Sequence, residues 1–201
     1  MSELERWQTR FSAPDYIFGK APNAFLKAQA HRLHPGGSVL SIADGEGRNG
    51  VWLTEQGLDV LAVDFSALAL EKSRALAAER GVKLRTEVAD VTTWRWPPAE
   101  FDVVVAIFVQ VVFPTERSVF FNNLKRTLKP GGLLLMQGYR TEQLKYRTGG
   151  PPEAERLYTR ALLEEAFGDM AQLDISEHDS PISEGTAHVG MSALIDLVAT
   201  K

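Results

Sequence analysis

The sequence predicts an α/β fold: a doubly wound, mostly parallel sheet of seven strands with an antiparallel pair of strands at its C-terminal edge. Two observations predict it. Between residues 38 and 139, apolar runs of strand length alternate with amphipathic segments of helix length, the pattern of parallel strands joined by right-handed crossovers. After residue 139 two strand-like segments, 171–178 and 188–199, are separated by the turn-rich stretch SPISEGTA, which indicates an antiparallel pair.

Each element is predicted from its own signals. The five earlier strands are the apolar runs at 38–43, 58–64, 82–90, 101–108 and 133–139. Apolar residues at helical spacing predict helices at 24–32, 48–56, 67–80, 115–128 and 159–167. Asn23 and Ser66 are suited to cap the helices that follow them, and Gly57 and Gly81 to end two others.

Length and composition restrict the class of protein. The chain has 201 residues, of which 44% are hydrophobic, so we expect a single domain. The formal net charge of −4 and the lack of a long basic run argue against a nucleic-acid partner. The absence of cysteine excludes disulfides, thiolate zinc sites and a cysteine nucleophile, and no histidine spacing predicts a metal site.

Targeting signals are the next consideration. The N-terminus MSELERWQTR is too polar for a signal peptide, and the apolar run at 103–109 is too short to span a membrane. We therefore expect a cytoplasmic protein, a monomer or a homodimer. About 200 residues leave little room for an added domain that binds a protein or nucleic acid, so we expect a small-molecule substrate.

A glycine-rich loop follows the first strand. It reads GEGRNG, so that Gly45, Gly47 and Gly50 have G-x-G-x-x-G spacing. In a doubly wound sheet, ligands bind beyond the carboxyl ends of the strands, and glycine there permits close approach of the backbone to a ligand. The loop therefore suggests an adenosine-bearing cofactor, although the spacing alone fits more than one.

The ends of the next two strands carry carboxylates. Asp64 ends the second strand, where a carboxylate accepts hydrogen bonds from both hydroxyls of a ribose. The alternative is that Asp64 only begins the turn into the next helix. Asp90-Val91 ends the third strand, where the carboxylate of Asp90 is suited to accept the exocyclic amino group of adenine; the alternative is a simple loop aspartate.

Two features argue for an amino-acid moiety on that cofactor and against a pyrophosphate. Asp44 precedes the first glycine, where it would repel a pyrophosphate but attract an ammonium group. Arg48 and Asn49 begin a helix whose free N–H groups are suited to a ligand carboxylate. S-adenosylmethionine combines adenosine with both an ammonium and a carboxylate group.

With these motifs the chain resembles the class I S-adenosylmethionine-dependent methyltransferases, whose fold is Rossmann-like. The resemblance runs through VLSIADGEGRNG, VLAVDFSALALEKSRALA, VADVTTW, FDVVVAIF and LKPGGLLLMQGY. More narrowly, the chain resembles small bacterial methyltransferases of the tellurite-resistance and thiopurine types, in the segments YIFG…PN at 16–23, RTGGP at 147–151 and EGTAHVG at 184–190. It departs from the usual loop at Ser41 and Ala43, where that loop has an acid and a glycine, which predicts weaker cofactor binding.

The resemblance implies an assignment of site residues and of regions. The region 1–37 would form a lid and helix, 38–139 the cofactor-binding core, and 140–201 a substrate loop with the last strands. The cofactor would contact Phe18, Ala43, Asp44, Gly45, Glu46, Gly47, Arg48, Asn49, Asp64, Phe65, Ser66, Asp90, Val91 and Ile107. The acceptor would contact His188, Gln110 and Tyr16, with His188 either as a general base or only as a residue that fixes its turn.

The resemblance implies methyl transfer from S-adenosylmethionine to a small acceptor, such as a thiol or a tellurium or selenium oxyanion. Two alternatives remain at this point. The glycine spacing also fits a nicotinamide-dependent oxidoreductase, and Ser41 together with the lack of an obvious base fits a non-catalytic protein that binds S-adenosylmethionine.

Overall fold

The computed structural model describes residues 2–201 and contains one seven-stranded sheet. The strands are β1 (Ser38–Ile42), β2 (Asp59–Asp64), β3 (Arg85–Val88), β4 (Phe101–Ile107), β5 (Leu128–Tyr139), β6 (Gln172–Glu184) and β7 (His188–Thr200). Their order across the sheet is β3-β2-β1-β4-β5-β7-β6. The first five strands run parallel, and β7 pairs antiparallel with both β5 and β6, so the predicted fold is confirmed.

Seven α-helices connect the strands within residues 2–201. They are α1 (Glu3–Phe11), α2 (Ala24–Ala28), α3 (Arg48–Glu55), α4 (Ala67–Glu79), α5 (Pro114–Thr127), α6 (Gln143–Tyr146) and α7 (Arg160–Phe167). Short 3₁₀ turns occupy Ala30–Arg32 and Ala154–Arg156. Asn23 and Ser66 cap α2 and α4 as predicted, each accepting a backbone N–H three residues on.

The core lies on both faces of the sheet. Alternate residues of β4 enter two different clusters because side chains along a strand point to opposite faces. Val104 and Ala106 pack on the side of α5 and α7, whereas Val103 and Val105 pack on the side of α2 and α3. Burial on both faces explains why the central strands are almost continuously apolar in sequence.

Three strand boundaries differ from the prediction. β5 begins at Leu128, before the KPGG turn, because Leu128 already pairs with Phe101 across an irregularity in the register. β3 covers only 85–88, at the exposed edge of the sheet. β6 continues to Glu184, so the stretch SPISEGTA is mostly strand, and the hairpin turn is confined to 185–187.

Among residues 2–201, no helix has both the length and the apolar character that a membrane crossing requires.

Candidate functional site

Two adjoining cavities open where the parallel strands end. The larger, of about 260 Å³, lies over the loops that follow β1, β2, β3 and β4. The smaller, of about 140 Å³, lies over the end of β5 and the glycines of the RTGGP segment. Five residues line both cavities: Trp7, Phe18, Phe108, Val111 and His188. The two cavities are therefore separated only by an aromatic wall with one histidine in it.

Most of the residues predicted for the cofactor line the larger cavity. These are Phe18, Ala43, Asp44, Gly45, Arg48, Asn49, Asp64, Phe65, Asp90, Val91 and Ile107. Glu46, Gly47 and Ser66 do not line it. Most of the residues predicted for the cofactor therefore border one cavity, which is the candidate cofactor site.

Asp44 is fully buried beneath the first turn of α3. One carboxylate oxygen accepts the hydroxyl of Ser41 at 2.6 Å and the N–H of Gly50 at 3.0 Å, while the other has no hydrogen-bond partner. Burial raises the pKa of Asp44 to about 6, against the lowering effect of Ser41, Gly50 and Arg48. Ser41, which stands where the usual loop has an acid, therefore stabilises Asp44 by a hydrogen bond.

This geometry corrects one detail of the prediction for α3. Asp44 itself takes the N–H of Gly50, so that donor of the first turn is not available to a ligand carboxylate. A Cβ at residue 50 would lie 2.5 Å from the unpartnered oxygen of Asp44. Glycine at 50 is therefore required to let the carboxylate lie against the helix.

Gly47 is required for packing within the protein. It has φ +92°, and a Cβ there would lie 2.4 to 2.8 Å from atoms of Ser73 on α4. The expectation that Gly47 permits close approach of a ligand is wrong, because its open side faces α4. Gly45 and Ala43 have φ +61° and +48° and do line the cavity.

Asp64 holds the two loops together from the end of β2. Its two oxygens accept the N–H groups of Gly45 at 2.9 Å and Ser66 at 2.8 Å. Burial raises its pKa to about 6, opposed by these two hydrogen bonds, and the charge of Asp44 adds to the rise. Each carboxylate oxygen can accept a second hydrogen bond, so the loop contacts leave acceptor capacity for a ligand hydroxyl.

Ser66 is not a cavity residue. It is completely buried, and its hydroxyl accepts the N–H of Ala69 at 3.3 Å as the N-cap of α4. Asp90, in contrast, is exposed at the rim of the cavity, where one oxygen accepts the N–H and the hydroxyl of Thr92.

Glu46 anchors the N-terminal segment instead of facing the cavity. Its side chain is buried and forms a 2.7 Å ion pair with Lys72. The same ammonium group donates to the carbonyls of Ala13 at 2.6 Å and Asp15 at 2.8 Å. Lys72 therefore ties residues 13–15 to α4, and we call this cluster the lysine clasp.

Tyr16 does not line either cavity. Its hydroxyl donates to the carbonyl of Lys72 at 2.9 Å, and its ring packs beside Val51, Leu76 and Ala77. The expectation that Tyr16 contacts the acceptor is wrong, because the lysine clasp turns the residue toward α4.

The side-chain amide of Gln110 hydrogen-bonds to the backbone around it. Its amide nitrogen donates to the carbonyls of Tyr139 and Arg156, and its oxygen accepts the N–H of Tyr139 at 2.7 Å. Although Gln110 borders the smaller cavity, both N–H groups are taken. It therefore fixes the end of β5, and the expectation of a chemical role does not fit its hydrogen bonds.

His188 lies in the wall between the cavities. Its ring is 4.6 Å from that of Phe18 and 4.7 Å from that of Phe108, measured between centroids. Its Nδ1 lies 3.7 Å from a Glu184 oxygen, which is too long for a hydrogen bond, and is buried without a partner. Burial lowers the pKa of His188, with Glu184 opposing, so the ring is neutral at neutral pH.

Glu184 is the carboxylate that lies beside His188 Nδ1. The same oxygen lies 2.8 Å from Arg48, too poorly aligned for a hydrogen bond, and the other accepts the amide of Asn23 at 2.9 Å. Burial alone would raise its pKa, but His188 and Arg48 lower it to about 2. Arg48 thus serves this ion pair as well as bordering the larger cavity.

The structure brings together the sequence motifs at the two ends of the chain. The N–H groups of Thr186 and Ala187 donate to the carbonyl of Ile17 at 2.9 and 3.1 Å. A Cβ on Gly185 would lie 2.3 Å from that carbonyl oxygen and 2.4 Å from the nitrogen of Gly19. The YIFG and EGTAH segments therefore pack backbone against backbone and hold Phe18 beside His188.

The smaller cavity carries hydrogen-bond donors and cations. Tyr139 and Arg156 border it, and the Tyr139 hydroxyl and Arg156 Nε are buried without a hydrogen-bond partner. Arg6 and Arg10 line the same cavity. Arg140 and Arg147 line neither cavity, and Arg140 pairs with Asp179 and Glu142.

For residues 1 to about 22 the sequence left an ordered loop or short helices open, and the structure has helix α1 there. Trp7 and Phe11, one turn apart on this helix, border the larger cavity, and Trp7 borders both. The signal was available: Ser2 and Glu5 form a capping box at the start of the helix. Phe108, at the other side of the wall, has the left-handed φ of +57°, a strained conformation typical of functional sites.

The residues present fit S-adenosylmethionine better than a dinucleotide. The larger cavity is lined by the five acids Glu3, Asp44, Asp64, Asp90 and Glu116 and by the single cation Arg48. S-adenosylmethionine carries a sulfonium and an ammonium group, whereas a pyrophosphate would meet net repulsion. Asp44 borders this cavity, and one of its oxygens is buried without a hydrogen-bond partner.

Comparison with known proteins agrees with this fit. Residues 39–132 match the methyltransferase-domain family. The chain is similar to a Drosophila melanogaster tRNA N(3)-methylcytidine methyltransferase, Mettl2, with 30% identity over 188 residues that cover 83% of this chain and 57% of that protein. The chain spans only 22 to 57% of the length of the curated relatives that it matches.

Solved structures share the fold over almost the whole chain. One comes from work on the conversion of a disulfide bond into a thioacetal group during echinomycin biosynthesis: its TM-score is 0.78 at 18% identity, covering 100% of this chain and 92% of that one. Another is a Haemonchus contortus phosphoethanolamine N-methyltransferase bound to phosphomonomethylethanolamine and S-adenosylhomocysteine, with a TM-score of 0.72 at 19% identity over 96% of this chain and 57% of that one. The narrower resemblance to the tellurite-resistance and thiopurine types stays a prediction. Residues 39–132 thus match a methyltransferase domain, on a fold that solved methyltransferase structures share and with an acid-lined cavity beyond β1.

Proposed function

We propose that the protein transfers the methyl group of S-adenosylmethionine to a small-molecule acceptor, and that the acceptor binds in the smaller cavity. The observation that carries this proposal is the pair of adjoining cavities. Both are lined by the same five residues, Trp7, Phe18, Phe108, Val111 and His188, so the donor and the acceptor would meet at these residues. An acid-lined cavity for a cationic donor adjoins a cavity of about 140 Å³, smaller than the roughly 300–1,000 Å³ of drug-sized ligand sites.

In the larger cavity we assign three groups to the donor. Asp64 would accept the ribose hydroxyls, Asp90 the amino group of adenine, and Asp44 the ammonium group. When bound, the donor supplies an electrophilic methyl group on a positively charged sulfur. Phe18 and the N-terminal segment cover this cavity and would keep water from the reaction.

In the smaller cavity the aromatic wall would hold the acceptor atom in line with that methyl group, at roughly 3–3.5 Å. A protonated nucleophile also needs a base. Burial lowers the pKa of His188, so its neutral ring is suited to accept that proton on Nε2, the nitrogen that does not face Glu184. A soft anion would react by positioning alone.

A thiol or a tellurium or selenium oxyanion suits this site, since aromatic surfaces contact soft, polarisable atoms well. Two of the similar structures are described with small molecules, echinomycin and phosphomonomethylethanolamine, whereas one relative is named for its action on tRNA. The small volume of the second cavity, about 140 Å³, and the net charge of −4 favour a small acceptor over tRNA.

Transfer of a labelled methyl group tests the proposal. The donor is offered with thiols, selenite, tellurite, halides and unmodified tRNA, and we expect label only on small acceptors. Label on tRNA alone would contradict the assigned acceptor class, and binding of the donor without transfer to any acceptor would indicate a non-catalytic protein.

The role of His188 is tested in the same assay. We expect His188→Gln to slow transfer to thiols that are protonated at the assay pH by about 10²-fold, and to slow transfer to thiols already ionised much less. Equal losses for both kinds of thiol would make His188 a positioning residue and not a base.

A further inference from the structure

The two cavities have opposite charge. The larger is lined by five acids and one arginine, whereas the smaller is lined by Arg6, Arg10 and Arg156 and by no carboxylate. An acceptor that only supplied a neutral nucleophile would make no use of three guanidinium groups. The reversal of charge across the shared wall therefore needs an explanation of its own.

The carboxylates near these arginines leave part of their charge uncompensated. Glu3 is shared between Arg6 at 2.7 Å and Arg156 at 3.1 Å, and Glu153 lies 3.6 Å from Arg156 Nε. Arg10 forms no ion pair with any of residues 2–201. Its guanidinium is nevertheless positioned, because it lies 4.6 Å from the centre of the Trp7 ring.

Two residues that line the same cavity each carry a buried donor without a partner. The Tyr139 hydroxyl and Arg156 Nε make no hydrogen bond, although Tyr139 is 1% and Arg156 4% exposed. A buried polar atom without a partner is costly. Burial raises the pKa of Tyr139, so its hydroxyl stays protonated and can donate. Together with Arg10, these groups form a set of donors that lacks an acceptor.

We propose that the acceptor carries an anionic group, such as a carboxylate, separate from its nucleophilic atom, and that Arg10, Arg156 and Tyr139 bind that group in the smaller cavity. This inference rests on the proposed function and names the chemical class of its substrate. Because Arg10 belongs to α1 and the other two residues to the body of the protein, the anionic group would also join the lid to the sheet.

Binding of matched thiols tests the inference. Mercaptoacetate and thiosalicylate are compared with their uncharged amides by calorimetry, with and without S-adenosylhomocysteine. We expect each carboxylate to bind at least about tenfold more tightly than its amide, since charge-assisted hydrogen bonds replace neutral ones. Arg10→Gln should remove most of that preference.

Arg160→Gln is the matched control, because Arg160 pairs with Glu177 and Glu164 on the surface and lines neither cavity; it should keep the preference. Equal binding of acid and amide, no binding of either carboxylate, or an unchanged preference in Arg10→Gln would each overturn the inference. Failure of S-adenosylhomocysteine to bind would instead overturn the proposed function, and the titrations without it would still measure the anion preference.

Discussion

Asp44 is the residue on which the loop after β1 depends. It accepts hydrogen bonds from Ser41 and Gly50, yet one oxygen remains buried and unpartnered. A buried, unpartnered carboxylate oxygen destabilises the free protein. Natural proteins keep such a destabilising group where it serves function, for example where it binds a ligand. We infer that the ammonium group of the donor is that ligand.

Asp44→Asn should separate the effect of this carboxylate on the stability of the free protein from its effect on binding of the donor. The amide oxygen of asparagine can accept both existing hydrogen bonds, and the substitution removes the buried charge. Since folding raises the pKa of Asp44 from 3.8 to about 6, the free protein should gain about 1–3 kcal/mol of unfolding free energy at pH 8 and less at pH 5. Urea unfolding at both pH values measures this gain.

The same variant should bind S-adenosylhomocysteine more weakly, because the ammonium group loses its carboxylate. A variant that is less stable at pH 8, or that binds as tightly as the parent protein, would contradict the role of Asp44.

The pH dependence of binding follows from the same groups. Burial raises the pKa of Asp44 and of Asp64 to about 6, so in the free protein both become protonated as the pH falls below 6. An ammonium group and hydroxyl donors favour the ionised forms, so binding releases protons. We expect S-adenosylhomocysteine to bind about tenfold more weakly at pH 5 than at pH 7.

Calorimetry in two buffers of different ionisation enthalpy measures that release directly. Affinity that is constant from pH 5 to 7, with no protons released, would show that the ligand does not contact these carboxylates.

The junction between the two ends of the chain is the element that covers the site. Gly185 packs against Ile17 and Gly19, and the lysine clasp holds residues 13–15 from the other side. Besides these contacts, the Tyr16 hydroxyl donates to the carbonyl of Lys72 and the Lys20 ammonium group pairs with Glu79, so the backbone protection of this segment depends on a small set of identifiable contacts.

Gly185→Ala should release the segment. A Cβ at residue 185 would lie 2.3 Å from the Ile17 carbonyl oxygen, whereas Gly81, which also has a positive φ (+69° against +65°), has no atom within 4 Å of such a Cβ. Gly81→Ala is therefore the control for backbone strain alone. Only Gly185→Ala should increase hydrogen exchange across residues 12–20, and equal protection in the two variants would contradict the junction.

The elements differ in how far the sequence could predict them. The strands are predicted because burial on both faces leaves long apolar runs, as in FDVVVAIF at 101–108. Tyr16 and Glu46 were assigned wrongly because their direction depends on Lys72, which lies 56 and 26 residues away in sequence. Gln110 borders the smaller cavity, but only the structure shows that its amide hydrogen-bonds to the carbonyls of Tyr139 and Arg156.

At the scale of the whole molecule, the separation of charge between two adjoining cavities is the main result. The acids come from α1, β1, β2, β3 and α5, and the arginines from α1 and the 3₁₀ turn at 154–156. No local sequence window contains this arrangement, because it arises only when the doubly wound sheet gathers the ends of its strands. The acid-lined half predicts a cationic donor.

One titration tests that claim most directly. The protein is titrated calorimetrically with S-adenosylhomocysteine and, separately, with NADH, and each titration is repeated on Asp64→Ala. We expect S-adenosylhomocysteine to bind, with a loss of about 1–3 kcal/mol in the variant, and NADH not to bind. Tight binding of NADH together with no binding of S-adenosylhomocysteine would contradict the account.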